Sequence, residues 1–399
     1  MTDAGDAPRA PFVRHVKRAS TKAHDPVQAT AALARDLGLG PFALILLFAS
    51  PDRDRDALAS ALARTAPFNA APVIGCTTAG EITPDGYADG ALVAIALPSC
   101  DFAASLRLVA PLEGFTLDLG PEVVRGLRAD LAAAPTDFVH DFALMMADGL
   151  AMREDALVSS LGPSLGATPL LGGSAGDALD FQETAVLADG AFHSDAAVIA
   201  MVRTRLRVKV FRFDNFTPTD QRMVVTDADP EHRIVREINA EPAAREYARM
   251  IGIDPDQLSP LTFASHPVVV RVGGQHHVRS IQRIEETGDL RFFSAIDAGL
   301  VLTVATARDL AEHLEEALSG LSHGGAPDVV IGFDCALRRV EVEQTQATAK
   351  VSAILRRHGV VGFNTFGEQH NMLHVNQTFT GVAIYADDDA PDDAPETAS

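Results

Sequence analysis

Small polar residues follow the end of a short apolar run between Val73 and Ile82 (VIGCTTAGEI). The backbone N–H groups of such a turn can hold an anion or a polar ligand, as the N-terminus of a helix does. The run contains no Lys, which excludes a P-loop. Cys76 could act as a nucleophile if these amides favour its thiolate. The spacing assigns it no His partner, however, and a small buried thiol that only fills space explains it as well.

A second glycine-rich stretch, Gly172–Asp177 (GGSAGD), follows Pro169 and two leucines. Glycines here allow the backbone to approach another backbone or a ligand closely. Their spacing differs from GxGxxG, so the stretch does not match a dinucleotide-binding fingerprint. Asp148 follows the apolar run Phe142–Ala147 and could bring a carboxylate to the same edge, although a plain turn explains Asp148 and Gly149 equally well.

The third stretch, Gly362–Thr378, is dense in side chains that donate and accept hydrogen bonds. His370 and His374 are four residues apart, which places them on one face of a helix or a strand. A zinc protease requires Glu directly after the first His, and here that residue is Asn371. A metal site formed by the two histidines and Glu368 remains open.

A haem ligand would be a neutral imidazole in an apolar pocket. His374, His266 and His193 have partly apolar neighbours in sequence, and we expect His374 ahead of the other two as the axial ligand. The sequence has no CxxCH motif, so any haem would be bound without thioether links.

Short apolar runs alternate with helical stretches and must position these motifs. Asp25 and Pro26 are typical of a helix start, and Thr306–Asp309 resembles a capping box with Asp in place of Glu. The mixture predicts α/β layers without fixing parallel or antiparallel pairing, and no internal repeat of fixed period is visible. The clearest predicted buried strands are Phe42–Ala49, Ala91–Leu97, Phe142–Ala147 and Ala196–Val202.

The 399 residues carry a formal charge of −21, with 54 acidic and 33 basic residues. A surface this negative repels phosphate backbones and anionic lipid, so we expect neither nucleic-acid binding nor membrane attachment. No apolar run reaches the length of a membrane span, and three scattered cysteines do not form a disulfide framework. We expect a cytoplasmic protein.

Taken in order, the motifs resemble the FIST sensory domains. The resemblance rests on GCTTAGEI, DGL, PLLGGSAGD, GFNTFGE and HVNQT, and extends from about Val27 to Tyr385. It implies a two-part α/β fold of mixed sheets with packed helices that recognises a small ligand. The implied ligand contacts are Gly75, Cys76, Thr77, Thr78, Gly80, Glu81, Asp148, Gly172, Gly173, Ser174, Gly176, Asp177, Asn364, Gly367, Glu368, Asn376 and Thr378.

The chain also resembles a stand-alone branch of this family that senses nitric oxide through haem and regulates a histidine kinase. That resemblance implies haem b as the cofactor and a histidine kinase as the partner in trans. Two alternatives stay open: a haem-free domain whose glycine-rich amides hold the carboxylate of an amino acid, and an enzyme that depends on Cys76.

We predict four segments. They are an N-terminal extension (1–26), a FIST N-terminal domain (27–222), a FIST C-terminal domain (223–386) and a tail (387–399). We place the boundary between the FIST N-terminal and C-terminal domains within Phe216–Pro230, because this stretch is rich in Thr, Asp and Pro. The tail holds six acidic residues, no basic residue and almost no large apolar group, so we expect it to be disordered.

Overall fold

The computed structural model describes residues 15–272 and 274–386. The predicted tail and the first fourteen residues lie outside this part of the chain. None of its helices is long and apolar enough to cross a membrane. Its helices are α1 (Pro26–Leu37), α2 (Arg55–Leu62), α3 (Leu119–Asp130), α4 (Glu154–Leu165), α5 (Ala243–Ile251), α6 (Pro260–Ser265), α7 (Leu310–Gly320), α8 (Ala336–Gln344) and α9 (Thr348–Arg357).

The strands fall into groups that follow the chain. Strands β1 to β12 are Lys17–Thr21, Phe42–Ala49, Val73–Thr77, Glu81–Thr83, Gly86–Ala88, Leu92–Pro98, Phe102–Val109, His140–Ala147, Leu170–Ser174, Val186–Ala188, Ala191–His193 and Ala197–Thr204. Strands β13 to β21 are Val208–Asp214, Phe216–Asp229, Ile234–Ile238, Glu241–Pro242, Val268–Val272, Gln275–Arg279, Ile281–Ile284, Leu290–Phe292 and Val301–Ala307. Strands β22 to β26 are Val329–Cys335, Val360–Thr365, Glu368–His370, Leu373–Val375 and Thr378–Ile384.

Three six-stranded sheets share one topology. Their strand orders are β1-β6-β2-β3-β10-β11, β7-β12-β8-β9-β24-β25 and β13-β26-β22-β23-β4-β5. In each, two central strands run parallel (β2 with β3, β8 with β9, β22 with β23), and the final strand of the unit returns antiparallel beside the first of that pair. We call these units the first module (β1–β6), the second module (β7–β12) and the third module (β13 with β22–β26).

Each module gives its hairpin to another sheet. The β4–β5 hairpin of the first module extends the third sheet, β10–β11 of the second extends the first, and β24–β25 of the third extends the second. The exchange is therefore cyclic and links the three modules. It is an internal repeat without a fixed period in the sequence, because loop lengths differ and a segment of about a hundred residues separates β13 from α7.

One glycine occupies the same register position in all three modules. Gly75, Gly172 and Gly362 lie opposite Leu47, Met145 and Gly332 of the neighbouring parallel strand. A Cβ atom added at these glycines would lie 1.7, 1.8 and 1.8 Å from the carbonyl oxygen of that neighbour. Any larger residue would therefore force the parallel strands apart.

The inner faces of the three sheets pack into a common core. Phe48 of β2, for example, lies 4.6 Å from Phe363 of β23 and 6.3 Å from Phe333 of β22, measured between ring centroids. Helices cover the outer faces: α1 and α2 on the first sheet, α3 and α4 on the second, α7 and α9 on the third. Burial on both faces explains why the predicted strands are continuous apolar runs, and it confirms the α/β class.

An inserted subdomain, residues 216–307, holds an antiparallel sheet of eight strands with α5 and α6 around its own core. The boundary that we predicted at residues 222 and 223 falls inside its long strand β14. The Thr- and Asp-rich sequence there reflects the exposed side of that strand rather than a linker. The predicted N-terminal extension also differs from the structure, because it contains β1 and the first residue of α1.

Two predicted helix starts can be compared with the structure. Asp25 caps α1 by accepting a 2.8 Å hydrogen bond from the Gln28 amide, as predicted. The expected capping box at Thr306 is wrong, because Thr306 belongs to β21 and Asp309 itself caps α7.

Candidate functional site

The three predicted motifs meet at one end of the molecule, beyond the carboxyl ends of the parallel strands. The Ala79 amide donates to the Asn364 carbonyl (2.9 Å), and the Asn364 amide donates to the Gly80 carbonyl (2.7 Å). The Gly176 amide donates to the Thr77 carbonyl (3.1 Å), and the Ser174 amide donates to the Gly367 carbonyl (2.8 Å). The motifs therefore connect the modules to one another.

These contacts change the interpretation of the glycine-rich stretches. A Cβ atom at Gly173 would lie 2.4 Å from the Thr365 methyl group, and one at Gly176 would lie 2.8 Å from the Ala79 nitrogen. The glycines thus allow close packing between modules, and several of the amides expected to hold a carboxylate already bind the chain's own carbonyls.

An open cleft of about 460 Å³ lies beside this junction, which we call the acidic cleft. Four predicted ligand contacts line it, namely Thr77, Gly80, Glu81 and Asp177. Sequence reasoning missed its other polar walls, because they follow β2 and β5 or lie in the loop before β10 without a motif. Those are Ser50, Asp52, Arg55, Asp89, Asp180, Gln182 and Glu183.

Carboxyl groups dominate the cleft. Six acidic residues line it and Arg55 is the single basic one among its described walls, already paired with Glu183. Glu81 is fully buried and accepts a 2.9 Å hydrogen bond from the Ala91 amide and another from the Thr78 hydroxyl. Burial raises the pKa of Glu81 to about 7, although these hydrogen bonds oppose the shift. The cleft favours a positively charged group.

Arg339 of α8 fixes one wall of the acidic cleft. Its guanidinium donates to the Ala88 carbonyl (3.0 Å) and the Asn364 side chain (3.1 Å), and pairs with Asp89 at 2.6 Å. A Cβ atom at Gly80, where φ is +134°, would lie 2.1 Å from this guanidinium. Only glycine therefore fits at this turn, and a residue of the third module holds the wall of the first.

The two predicted aspartates organise loops. Asp177 accepts hydrogen bonds from the amides of Phe181 (2.9 Å), Gln182 (2.6 Å) and Glu183 (2.8 Å), which shapes the loop 177–183 along the cleft. Asp148 accepts from the Asp195 amide (2.6 Å) and from the Thr184 hydroxyl. Burial raises the pKa of Asp148, and this carboxyl group does not line the acidic cleft.

Glu368 is the counterpart of Glu81 in the third module. It is fully buried and accepts hydrogen bonds from the Thr365 hydroxyl and, at 2.7 Å, from the Thr378 hydroxyl. Burial raises its pKa to about 8. Glu368 and Thr378 were predicted as ligand contacts, but the structure places them inside the protein.

Cys76 also lies away from the cleft. Its side chain is fully buried in the common core, and burial raises the pKa of its thiol well above the usual value. A thiol in such a place is a poor nucleophile, since reactivity depends on the accessible thiolate.

His374 lies in a buried polar cluster at the edge of the second sheet. Its Nδ1 is 3.4 Å from the Gln369 side-chain nitrogen, which also donates to the Ser174 hydroxyl (3.0 Å). The His374 Nε2 and the Asn376 side-chain nitrogen have no hydrogen-bond partner among the described residues, and a Cβ atom at Gly367 would lie 2.8 and 3.0 Å from them. The backbone at Gly367 therefore packs against this ring, and His374 is only 2% exposed.

The other two candidate haem ligands are elsewhere. The His193 Nε2 lies 3.1 Å from the Ala188 carbonyl within its own hairpin. His266 follows α6, and its buried Nδ1 has no hydrogen-bond partner in the part of the chain that the structure describes. The described residues also include no group of three His, Cys, Asp or Glu side chains placed to hold a metal ion, which does not support the site of His370, His374 and Glu368.

Two family models match the chain. One is the FIST N domain, over residues 43–241, and the other is the FIST C domain, over residues 243–371. Between them they include all three motif stretches except the last residues of the third. No curated protein matches the chain.

Proposed function

Because the chain belongs to the FIST family, whose domains are sensory domains of signal transduction, we propose that it senses a small ligand in the acidic cleft. The observation that carries this proposal is the convergence of motif residues from two modules on an open cavity rich in carboxyl groups. A cavity of about 460 Å³ is in the range of small-molecule sites.

The ligand is a small molecule with at least one ammonium or guanidinium group. The acidic cleft attracts a ligand of net positive charge, since six acidic side chains and one basic side chain line it. Glu183 pairs with Arg55 of the cleft wall, while Asp89 and Asp52 have partners outside the lining, in Arg339 and His24. This differs from the expectation that glycine-rich amides hold the carboxylate of an amino acid. Basic amino acids and diamines fit the charge, whereas acidic ones do not.

Binding can be transmitted because the cleft wall is not independent of the rest of the fold. Asp89 lines the cleft and also pairs with Arg339 of α8. A ligand that competes for Asp89 would favour a different position of α8, and a ligand shifts a population only through such differential contacts. A partner protein that binds near α8 would respond to this change in the position of the helix. The support for a histidine kinase as that partner is the family resemblance alone.

Haem-based sensing of nitric oxide is not carried by the geometry, because His374 is covered and the Nε2 of His193 contacts a carbonyl. An absorption spectrum of the protein mixed with hemin tests it. A Soret band that disappears in His266→Ala or His374→Ala would establish haem and displace the acidic cleft as the sensing site. Catalysis by Cys76 is disfavoured by the burial of its thiol.

Calorimetric titration with L-arginine, L-lysine and putrescine tests the proposal, with acetate as the anionic control. We expect at least one cation to bind, and the double variant Asp52→Asn, Asp89→Asn to weaken it about tenfold or more, since hydrogen bonds to charged groups contribute about 1.5–3 kcal/mol each. Asp137→Asn removes an exposed carboxyl group before β8 and should bind like the parent. Equal binding by the double variant, or no binding of any cation, would refute the proposal.

A further inference from the structure

A second cavity, of about 220 Å³, lies between the second module and the inserted subdomain. We call it the arginine–phenylalanine pocket. We infer that it is a separate binding site for a small anion with an apolar body, such as an aromatic or short aliphatic carboxylate. This inference does not depend on the function proposed for the acidic cleft.

The charged side of the pocket is cationic. Arg233, Arg283 and Arg291 line it, and no acidic residue is among the described residues of its walls. Their carboxyl partners lie outside the described lining of the pocket: Glu154 pairs with Arg233 at 2.7 Å, while Glu285 pairs with both other guanidinium groups. A guanidinium group can bind a carboxylate through two parallel hydrogen bonds, which makes arginine the usual residue for this ligand.

Most of the remaining lining is apolar. The rings of Phe181 and Phe293 are 5.9 Å apart between centroids, and Phe292, Leu150 and Met152 complete the wall. The volume corresponds to about seven water molecules in the liquid. It therefore fits one aromatic ring or a short alkyl chain next to a carboxylate, and not a larger metabolite.

The backbone around the pocket is unusual. Met152, Phe181 and Arg233 have φ of 55°, 52° and 55°, a region that large L-residues rarely adopt. Eleven described non-glycine residues have positive φ, and three of them are among the ten that line this pocket. Such backbone outliers concentrate at binding and active sites, because the surrounding structure must hold them in place.

Arg233 joins the two sides of the pocket. It lies at the turn between β14 and β15, is only 4% exposed, and donates to the Phe293 carbonyl as well as to Glu154 of α4. An anion in the pocket would therefore contact the inserted subdomain and the second module at once.

The pocket corresponds in position to the acidic cleft. Both lie just after the first strand of a parallel pair, at 50–52 after β2 and at 149–152 after β8. The loop 177–183 serves both, with its acidic residues in the cleft and Phe181 in the pocket. Equivalent positions of opposite charge select ligands of opposite charge.

Titration of the full-length protein with benzoate, hexanoate and benzamide tests the inference. Benzamide has nearly the shape of benzoate without its charge. We expect benzoate or hexanoate to bind, and benzamide to bind at least tenfold more weakly than benzoate. Arg283→Gln should weaken carboxylate binding about fivefold or more, since it removes a guanidinium group that is half exposed and not needed to join the modules.

Two further variants complete the design. Leu150→Trp fills the pocket without changing its charge and should abolish binding, while Arg236→Gln removes a half-exposed arginine outside the pocket and should leave binding unchanged. No binding of either carboxylate at about 10 mM, equal affinity for benzamide, or unaltered binding by Leu150→Trp would overturn the inference. The amine titration of the acidic cleft is unaffected by these outcomes, so the two proposals can fail separately.

Discussion

Glu81 and Glu368 are two buried carboxyl groups in equivalent positions with different consequences. Each follows the turn after the second strand of a parallel pair and accepts a hydrogen bond from a threonine hydroxyl three residues before it. The sequences VIGCTTAGE and VVGFNTFGE, at 73–81 and 360–368, align residue by residue and contain this threonine and glutamate. Of the two, Glu81 is the one that lines the acidic cleft, so we expect ligand effects from it and stability effects from Glu368.

The free energy of unfolding should fall as pH rises, because the buried Glu368 carboxyl group must then ionise. Its folded-state pKa of about 8 lies above the usual glutamate value of 4.5, so its contribution to stability is fully present below pH 4.5 and is lost as pH rises through 8. Each unit of pKa difference corresponds to about 1.4 kcal/mol. Urea unfolding at pH 5 and pH 8.5 should show the parent losing stability and Glu368→Gln losing markedly less. The same loss in both proteins would contradict this account.

Glu81 should make cation binding depend on pH. Because its pKa is about 7, the carboxyl group is largely neutral at pH 6 and ionised at pH 8. Calorimetric titrations at these two pH values should show tighter binding of L-arginine at pH 8. In Glu81→Gln the affinity should vary less between them, and an unchanged pH dependence would show that another group is responsible.

Turns at the ends of strands carry the contacts between modules. The turn at Gly80 is held by Arg339, and Gly80→Ala should destabilise the protein by about 1–3 kcal/mol because the new methyl group collides with the guanidinium and φ is unfavourable. Gly114→Ala meets no atom within 4 Å and is the matched control in thermal unfolding. A double-mutant cycle with Arg339→Ala should show coupling between the two positions. Strict additivity would contradict the proposed contact.

Sequence patterns predicted individual elements better than their partners. Phe42–Ala49 coincides with β2, because a run of apolar residues buried on both faces is a local signal. The pairing of β4 with β23 is not local: Ile82 lies opposite Gly362, almost three hundred residues away. Four predicted ligand contacts lie in the acidic cleft, but Asp52, Asp89 and Asp180 could not be found, since exposed aspartates in loops have no periodic or motif signal.

The cyclic exchange of hairpins makes the three modules one folding unit. A fragment ending at residue 241, which contains the matched FIST N region, lacks the β24–β25 hairpin of the second sheet and three strands of the third, namely β22, β23 and β26. It would expose the edge of β9 and one side of the common core, so we expect no cooperative unfolding transition from it. Circular dichroism during heating checks this, and a sharp transition at the temperature of the full chain would contradict the description of a single unit.

The central claim is that a small cation binds among the carboxyl groups of the acidic cleft. A crystal structure of the protein grown with L-arginine, the most strongly cationic of the amino acid probes, tests it most directly. We predict density for the ligand in the cleft, with its guanidinium or ammonium group within hydrogen-bonding distance of Asp52 or Asp89. Density at another site, or an empty cleft at a ligand concentration that saturates the calorimetric signal, would contradict the account.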